Sequence, residues 1–267
     1  MKISMHMLLL HIQNNHATKI GGGGLSIHGK DSVDYSVLLK GSLLIVDNIA
    51  SSSLNNGEDV SYLPGGGVHV NGEGTSEWST GVTVSGNNGG DGGGLCVLHG
   101  ARTTLLAGIK LYDNHGRSSG GGAFVENATL LLRNMEIKNN KADIHGGGIA
   151  VTKGVVDVAD SAFISNTAGA NGGAVHARPS VSDDSSGENT PSSSHLHVVG
   201  TEFRGSVVGL SGKGGHVALA GTNATFIACV LHPAKSEEGG ALHVSQTELS
   251  LLSNTSIIGT EAQLNGG

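Results

Sequence analysis

The sequence predicts an all-β fold, a parallel β-helix of about nine coils of roughly 26 residues stacked along one axis. Three observations carry this. A glycine-led pattern recurs as GGGAFV at 120–125, GGGIAV at 146–151 and GGAVHA at 172–177. A second landmark precedes each copy, LYDN at 111–114, IKNN at 137–140 and FISN at 163–166, so Asn114, Asn140 and Asn166 stand 26 residues apart. Two independent landmarks with one period mark a solenoid, in which each repeat is one turn of chain laid on the last. Within a repeat, apolar residues alternate with period two, which is strand behaviour.

In order along the chain, the glycine turn and its strand open at Leu25, Val68, Leu95, Ala123, Ile149, Val175, Val217 and Leu242, with steps of 43, 27, 28, 26, 26, 42 and 25. The two long steps each fit one coil plus an insertion of about 16 residues. The second insertion is Arg178 to Ser194 (RPSVSDDSSGENTPSSS), polar and carrying two of the four prolines, which reads as a loop. The first lies between Leu25 and Val68, around Gly29–Lys40 or Ser51–Pro64, or is an extra degenerate coil. Val68/Val70, Ile149/Val151 and Leu242/Val244 point one way, His69, Ala150 and His243 the other. A second short strand follows (Thr129–Leu132, Val155–Val158, Glu248–Leu252), and a third leads into the asparagine (Ile109–Leu111, Met135–Ile137, Ala162–Ile164). Glycine at the turn permits positive φ or close stacking on the turn above. The asparagines are expected to form an amide ladder, each side chain hydrogen-bonding its equivalent in the next coil.

Composition suits this architecture. Glycine is abundant (45) and proline scarce (4) without a Gly-X-Y period, which excludes collagen. Aromatics are only 3%, as a narrow coil requires, while 37% apolar residues suffice for a thin continuous core. A net charge of −7 without a Lys/Arg run argues against nucleic acid or an anionic membrane as partner. No apolar stretch reaches membrane-span length. The opening MKISMHMLLLHIQNN aligns with LLLRNMEIKNN at 130–140 and reads as repeat rather than signal peptide. Residues 1–267 are expected to be a single β-helix, a fragment whose neighbours are adjoining coils of a longer chain. Cys96 and Cys229 fall four coils apart, about 19 Å at about 4.8 Å per coil, so both are expected as free thiols.

The GGA[I/L/V] and FxxN motifs resemble the repeats of chlamydial polymorphic membrane proteins and of wider right-handed, pectin-lyase-like β-helices. GGAV at 172–175 and GGAL at 239–242 match in full, as does FISN; LYDN and IKNN keep the asparagine, and FRGS at 203–206 keeps Phe203. The resemblance implies a right-handed helix and a secreted or cell-surface, adhesin-like repeat protein whose partners are surface glycans or proteins.

No catalytic, cofactor or metal site emerges. Lyases and hydrolases of this fold need carboxylates gathered from adjacent coils, whereas Asp91, Asp113, Asp143, Asp157 and Asp160 fall at different coil positions. His69, His176 and His243 share one outward position, but the last two lie about 10 Å apart, too far to share a zinc ion, and are expected as exposed wall residues. HGGGI at 145–149 lacks a GxSxG partner, and GGDGGGLCV at 89–97 departs from the calcium nonapeptide. Asn127, Asn223 and Asn254 head N-glycosylation sequons, placed near the first and second strands. The expectation is a non-catalytic recognition protein at the cell surface or outside the cell. The alternative is a polysaccharide lyase, a glycoside hydrolase, or a fragment of one.

Overall fold

A computed structural model describes residues 2–29, 35–53, 60–79, 81–179, 194–251, 254–259 and 261–265. Its strands stack in parallel sheets, as a parallel β-helix requires. One sheet holds the eight strands that follow the glycine turns, from Leu25–His28 through Val68–Asn71, Leu95–Leu98, Ala123–Glu126, Ile149–Thr152, Val175–Arg178 and Val217–Ala220 to Leu242–Ser245. We call it the turn sheet. A second, long sheet contains the next two strands of every coil, and a third contains two-residue strands after the asparagines, such as His115–Gly116 and Lys141–Ala142. Among the described residues no helix is long and apolar enough to cross a membrane.

The long sheet is continuous because one strand, Tyr35–Val46, pairs with Gly74–Trp78 along its first half and with Val82–Ser85 along its second. In later coils that strand is broken by a residue in the left-handed conformation: Gly108 (φ 83°), Asn134 (φ 52°), Asp160 (φ 51°), Gly200 (φ 56°) and Ala228 (φ 51°). Glycine, Asn and Asp tolerate this conformation, which bends the wall by one residue. A second set, Asn14, Asp47, Gly86, Asp113, Asn139, Ser165 and Gly205, does the same immediately before the ladder position.

That ladder is six asparagines long, running Asn15, Asn48, Asn87, Asn114, Asn140, Asn166. From Asn48 to Asn166, each Oδ1 accepts from the Nδ2 of the preceding coil's asparagine at 2.9–3.1 Å. From Asn48 onward, Nδ2 also donates to a backbone carbonyl one coil back, Leu111 for Asn140 and Ile137 for Asn166. The side-chain amides of Asn48 to Asn166 therefore have partners at both the nitrogen and the oxygen, the condition for placing an amide in a core. In the coil after Asn166 the column passes to buried Ser206, whose Oγ has none. There the interior relies on rings: Phe163 stacks on Phe203 at 4.9 Å with planes 4° apart, and Phe226 follows at 6.3 Å.

The first insertion is shared between both windows. Tyr35 follows Leu25 by ten residues where Gly74 follows Val68 by six, and Val68 follows Ile49 by nineteen where Leu95 follows Asn88 by seven. No extra coil intervenes. The larger part forms an antiparallel pair, Ser51–Ser53 against Val60–Tyr62; residues 30–34 and 54–59 lie outside the described residues. Of the second insertion, Arg178 and Ser194 are strand residues, the Ser194 hydroxyl donating to the Arg178 carbonyl. Its interior, residues 180–193, lies outside the described residues.

Candidate functional site

The long sheet presents an open outer wall. Its outward columns follow from register: Arg102, Thr129, Val155, His195 and Asn223 lie side by side, as do Thr104, Leu131, Asp157, His197 and Thr225. Side chains from successive coils therefore meet. Arg133 forks onto Asp157, Nη2 to Oδ2 at 2.8 Å and Nη1 to Oδ1 at 3.2 Å, and Nη1 also donates to the carbonyls of Leu132 and Asp157. His197 Nδ1 approaches the same carboxylate at 3.4 Å. This geometry makes Arg133 a strut between coils, with both terminal nitrogens of its guanidinium bonded.

Where the wall bends, Glu136, Asp160 and Glu202 from three successive coils line one shallow groove of about 490 Å³, with Lys110 at its side. Glu136 and Glu202 occupy one column, separated by Ala162, hence about 10 Å apart at the backbone. The Glu202 carboxylate meets His232 Nε2 at 2.8 Å. Sequence reasoning weighed the aspartates and missed Glu136 and Glu202; the signal was their shared place, one residue after the buried position that follows the bend. Asp113 and Asp143 do not share a register. Asp113 is the left-handed residue before Asn114, and Asp143 sits on the far side of the ladder, where its N–H bonds the Gly116 carbonyl. Asp91 accepts from the Ser119 N–H at 3.0 Å and so holds the next coil's turn.

The turn sheet behaves differently. His69 and His176 were expected on an exposed wall, yet they are 4% and 7% exposed. The cause is the segment ahead of each glycine turn, which folds back over the outward face. Ser119, His145, Asn171, Lys213 and Glu238 form their own column of parallel bridges there. Beneath it Cys96, Leu98, Phe124 and Ala150 make a small second core. The glycine permits this close return: at Gly146 φ is +63°, and a Cβ would lie 2.3 Å from the Ile149 carbonyl oxygen. His145 of HGGGI stacks on His176 at 4.4 Å.

Burial sets the titration of these rings. It pushes His69 down to about 4, helped by His28 and His99, and His176 down to about 3, helped by His145 and Arg178. His216 falls to about 4 for the same reason, although its Nε2 donates to the His232 carbonyl at 3.0 Å. His243 is half-buried, 3.7 Å from Glu238, and lowered by burial. Among the described residues no group of three or more His, Cys, Asp or Glu side chains is placed to hold a metal ion. Both cysteines are buried free thiols, Cys96 under the turn and Cys229 at the bend, and burial raises both.

One passage of chain contains all of these features: a left-handed bend, a strand, a ladder asparagine, a glycine turn and a covered strand. Residues 160–178 match the Chlamydia polymorphic membrane protein repeat. The repeat begins at the Asp160 bend, includes Phe163 and Asn166, turns at Gly172 (φ +62°) and ends at Arg178 on the turn sheet. No curated protein and no solved structure matches the chain.

The three sequon asparagines are exposed. Asn127 sits in the turn ahead of Thr129–Arg133, and Asn223 lies within Thr222–Ile227. Asn254 follows Glu248–Leu251, at the bend after the second strand.

Proposed function

We propose that the chain is a non-catalytic recognition stretch of a cell-surface repeat protein, engaging glycans or proteins through its exposed faces. The observation that carries this reading is the contrast between a turn sheet whose outward face is covered from the coil of Val68 to that of Val217 and a long sheet whose outward columns, mostly polar, stay open and in register over successive coils. The match of residues 160–178 to a membrane-protein repeat supports a surface location. An open ladder of side chains about 4.8 Å apart suits an extended ligand better than a small one, because it provides repeated contacts without an enclosing pocket.

A glycan-array and immobilised-protein binding assay on the soluble chain tests this. Retention without turnover is the expected result; no retention on either panel overturns it.

A second reading has one observation in its favour: the groove bearing Glu136, Asp160 and Glu202. Carboxylates across a bound sugar chain are what a glycoside hydrolase needs, and inverting pairs are separated by about 6.5–9.5 Å. Reducing-end release from any bound glycan, abolished by Glu136→Gln or Glu202→Gln, would put this reading first.

A further inference from the structure

On the side of the ladder opposite the long sheet, basic groups from two successive coils gather around a single carboxylate. Asn88, His115 and Lys141 are register partners in one outward column. Arg117 and Asp143 follow two residues later, in the coils of His115 and Lys141. His115 Nε2 lies 2.8 Å from Asp143 Oδ1. The two permanent cations stand further off, Lys141 Nζ at 3.6 Å and Arg117 Nη1 at 3.8 Å, beyond hydrogen-bond length. Both are ion-paired with the carboxylate without a hydrogen bond to it, and two permanent cations facing one anion leave a positive charge in excess.

Arg117 is fixed from two other sides. Its Nε donates to Asn88 Oδ1 at 3.3 Å, and its guanidinium carbon lies 4.9 Å from the centre of the Tyr62 ring. Tyr62 comes from the antiparallel insertion Val60–Tyr62, which is brought over this face where the Gly90 N–H donates to the Leu63 carbonyl at 2.7 Å. Gly90 leaves room for that approach: a Cβ there would lie 2.7 Å from the Tyr62 carbonyl oxygen. An arginine stacked on an aromatic and restrained at Nε has lost side-chain freedom before any ligand arrives, which favours binding. With Arg117 and Lys141 positive and Asp143 negative, the cluster is net positive in a chain of net charge −7.

The geometry points to a binding site for the carboxylate of an acidic sugar, centred on Arg117 and Lys141 and shaped by Tyr62. A guanidinium recognises a carboxylate in a planar, two-point manner, and the nearby ammonium adds charge. Asp143 and Asn88 supply acceptors for hydroxyl donors beside that carboxylate. A uronic acid presents both groups on one ring. A heavily sulfated or phosphorylated polymer has fewer free hydroxyls beside each charge and more charge per unit, so more of that charge falls against Asp143. This inference rests on the recognition reading above, gives it a ligand class, and places the contact on a second exposed face, across the ladder from the long sheet.

The test is equilibrium binding of the full chain at about 150 mM salt, where exposed charges more than about 8 Å apart are screened. The probes are a uronate oligosaccharide (oligogalacturonate), neutral dextran and dextran sulfate. The expected result is binding of the uronate alone, weakened at least tenfold by Arg117→Ala and by Lys141→Ala, less by Tyr62→Leu, and unaffected by Arg133→Met on the long sheet. Circular dichroism of the variants confirms an intact fold. Uronate binding untouched by Arg117→Ala and Lys141→Ala overturns this site while leaving surface recognition standing. Equal binding of dextran sulfate overturns the assignment to a sugar carboxylate. Binding of other glycans or proteins but no uronate removes this inference alone, and binding of nothing removes both.

Discussion

The turn sheet and the long sheet are built from the same alternating strands, yet their outward faces have opposite fates. On the turn sheet, His69, Cys96, Phe124, Ala150 and His176 all point outward and all are buried. On the long sheet, Arg102, Val155, His195, His197 and Asn223 point outward and are exposed. The difference lies in the connections. A connection of two to four residues containing one left-handed residue joins the two halves of the long sheet in the coils from Val68 onward, too little chain to cover anything. The glycine turn brings a bridge-forming segment back across its own strand. Alternation therefore reports which side chains share a face, and the length and backbone freedom of the connection determine whether that face meets solvent.

Acid should expose this contrast most strongly. Above pH 6.5 the buried histidines are neutral in both folded and unfolded chains, and stability does not depend on them. As pH falls below 6.5, unfolded histidines take up protons that folded His69, His216 and His176 refuse until about 4, 4 and 3. Stability is thus lost progressively from pH 6.5 down to those values, by roughly 3 kcal/mol at most for His69 and for His216 and roughly 5 kcal/mol at most for His176. Urea midpoints measured from pH 8 to pH 4 should fall, and His176→Phe should flatten the curve; a pH-independent midpoint would contradict the covered face.

Next in size is the covering turn itself. Gly146→Ala places a Cβ against the Ile149 carbonyl at a φ of +63°, and a loss of about 2–4 kcal/mol is expected. Faster amide exchange should follow at Ile149–Thr152, whereas Asn134→Ala on the long sheet's bend, where side chains already adopt that conformation, should cost about 1 kcal/mol.

The interior offers a gain. Ser206→Asn restores the seventh rung after Gly205, which already has φ 62°. A new Oδ1 would accept from Asn166, and the orphaned Oγ would disappear. A stabilisation of about 1 kcal/mol is expected in urea denaturation; destabilisation would mean that the phenylalanine stack has taken the space.

The smallest effect belongs to the open wall. Arg133→Met removes a fork onto a carboxylate whose side chain is 29% exposed, and stability should change by less than about 1 kcal/mol. A larger loss would make the wall part of the scaffold.

Much of this was legible beforehand. Strand positions followed from the period-two pattern, and Asn114, Asn140 and Asn166 followed from their 26-residue interval. Asn15, Asn48 and Asn87 were hidden because insertions and an altered motif broke the interval. The Asn, Asp or Gly ahead of each could have revealed them, since the left-handed residue is required at every coil. Glu136 and Glu202 escaped because they lie two coils apart in sequence and share only a register.

What the sequence determined by itself was the repeat: one coil per 26 residues, glycine where the chain must turn tightly, and an amide where the corner must be satisfied. These are local requirements, met by single residues at fixed offsets. The tertiary structure decided which way the glycine turn returns, and therefore that His69 and His176 are buried, and how the insertion places Tyr62 beside Arg117. Those outcomes depend on contacts between coils, where side chains far apart in sequence compete for the same surface, and no local pattern encodes the winner.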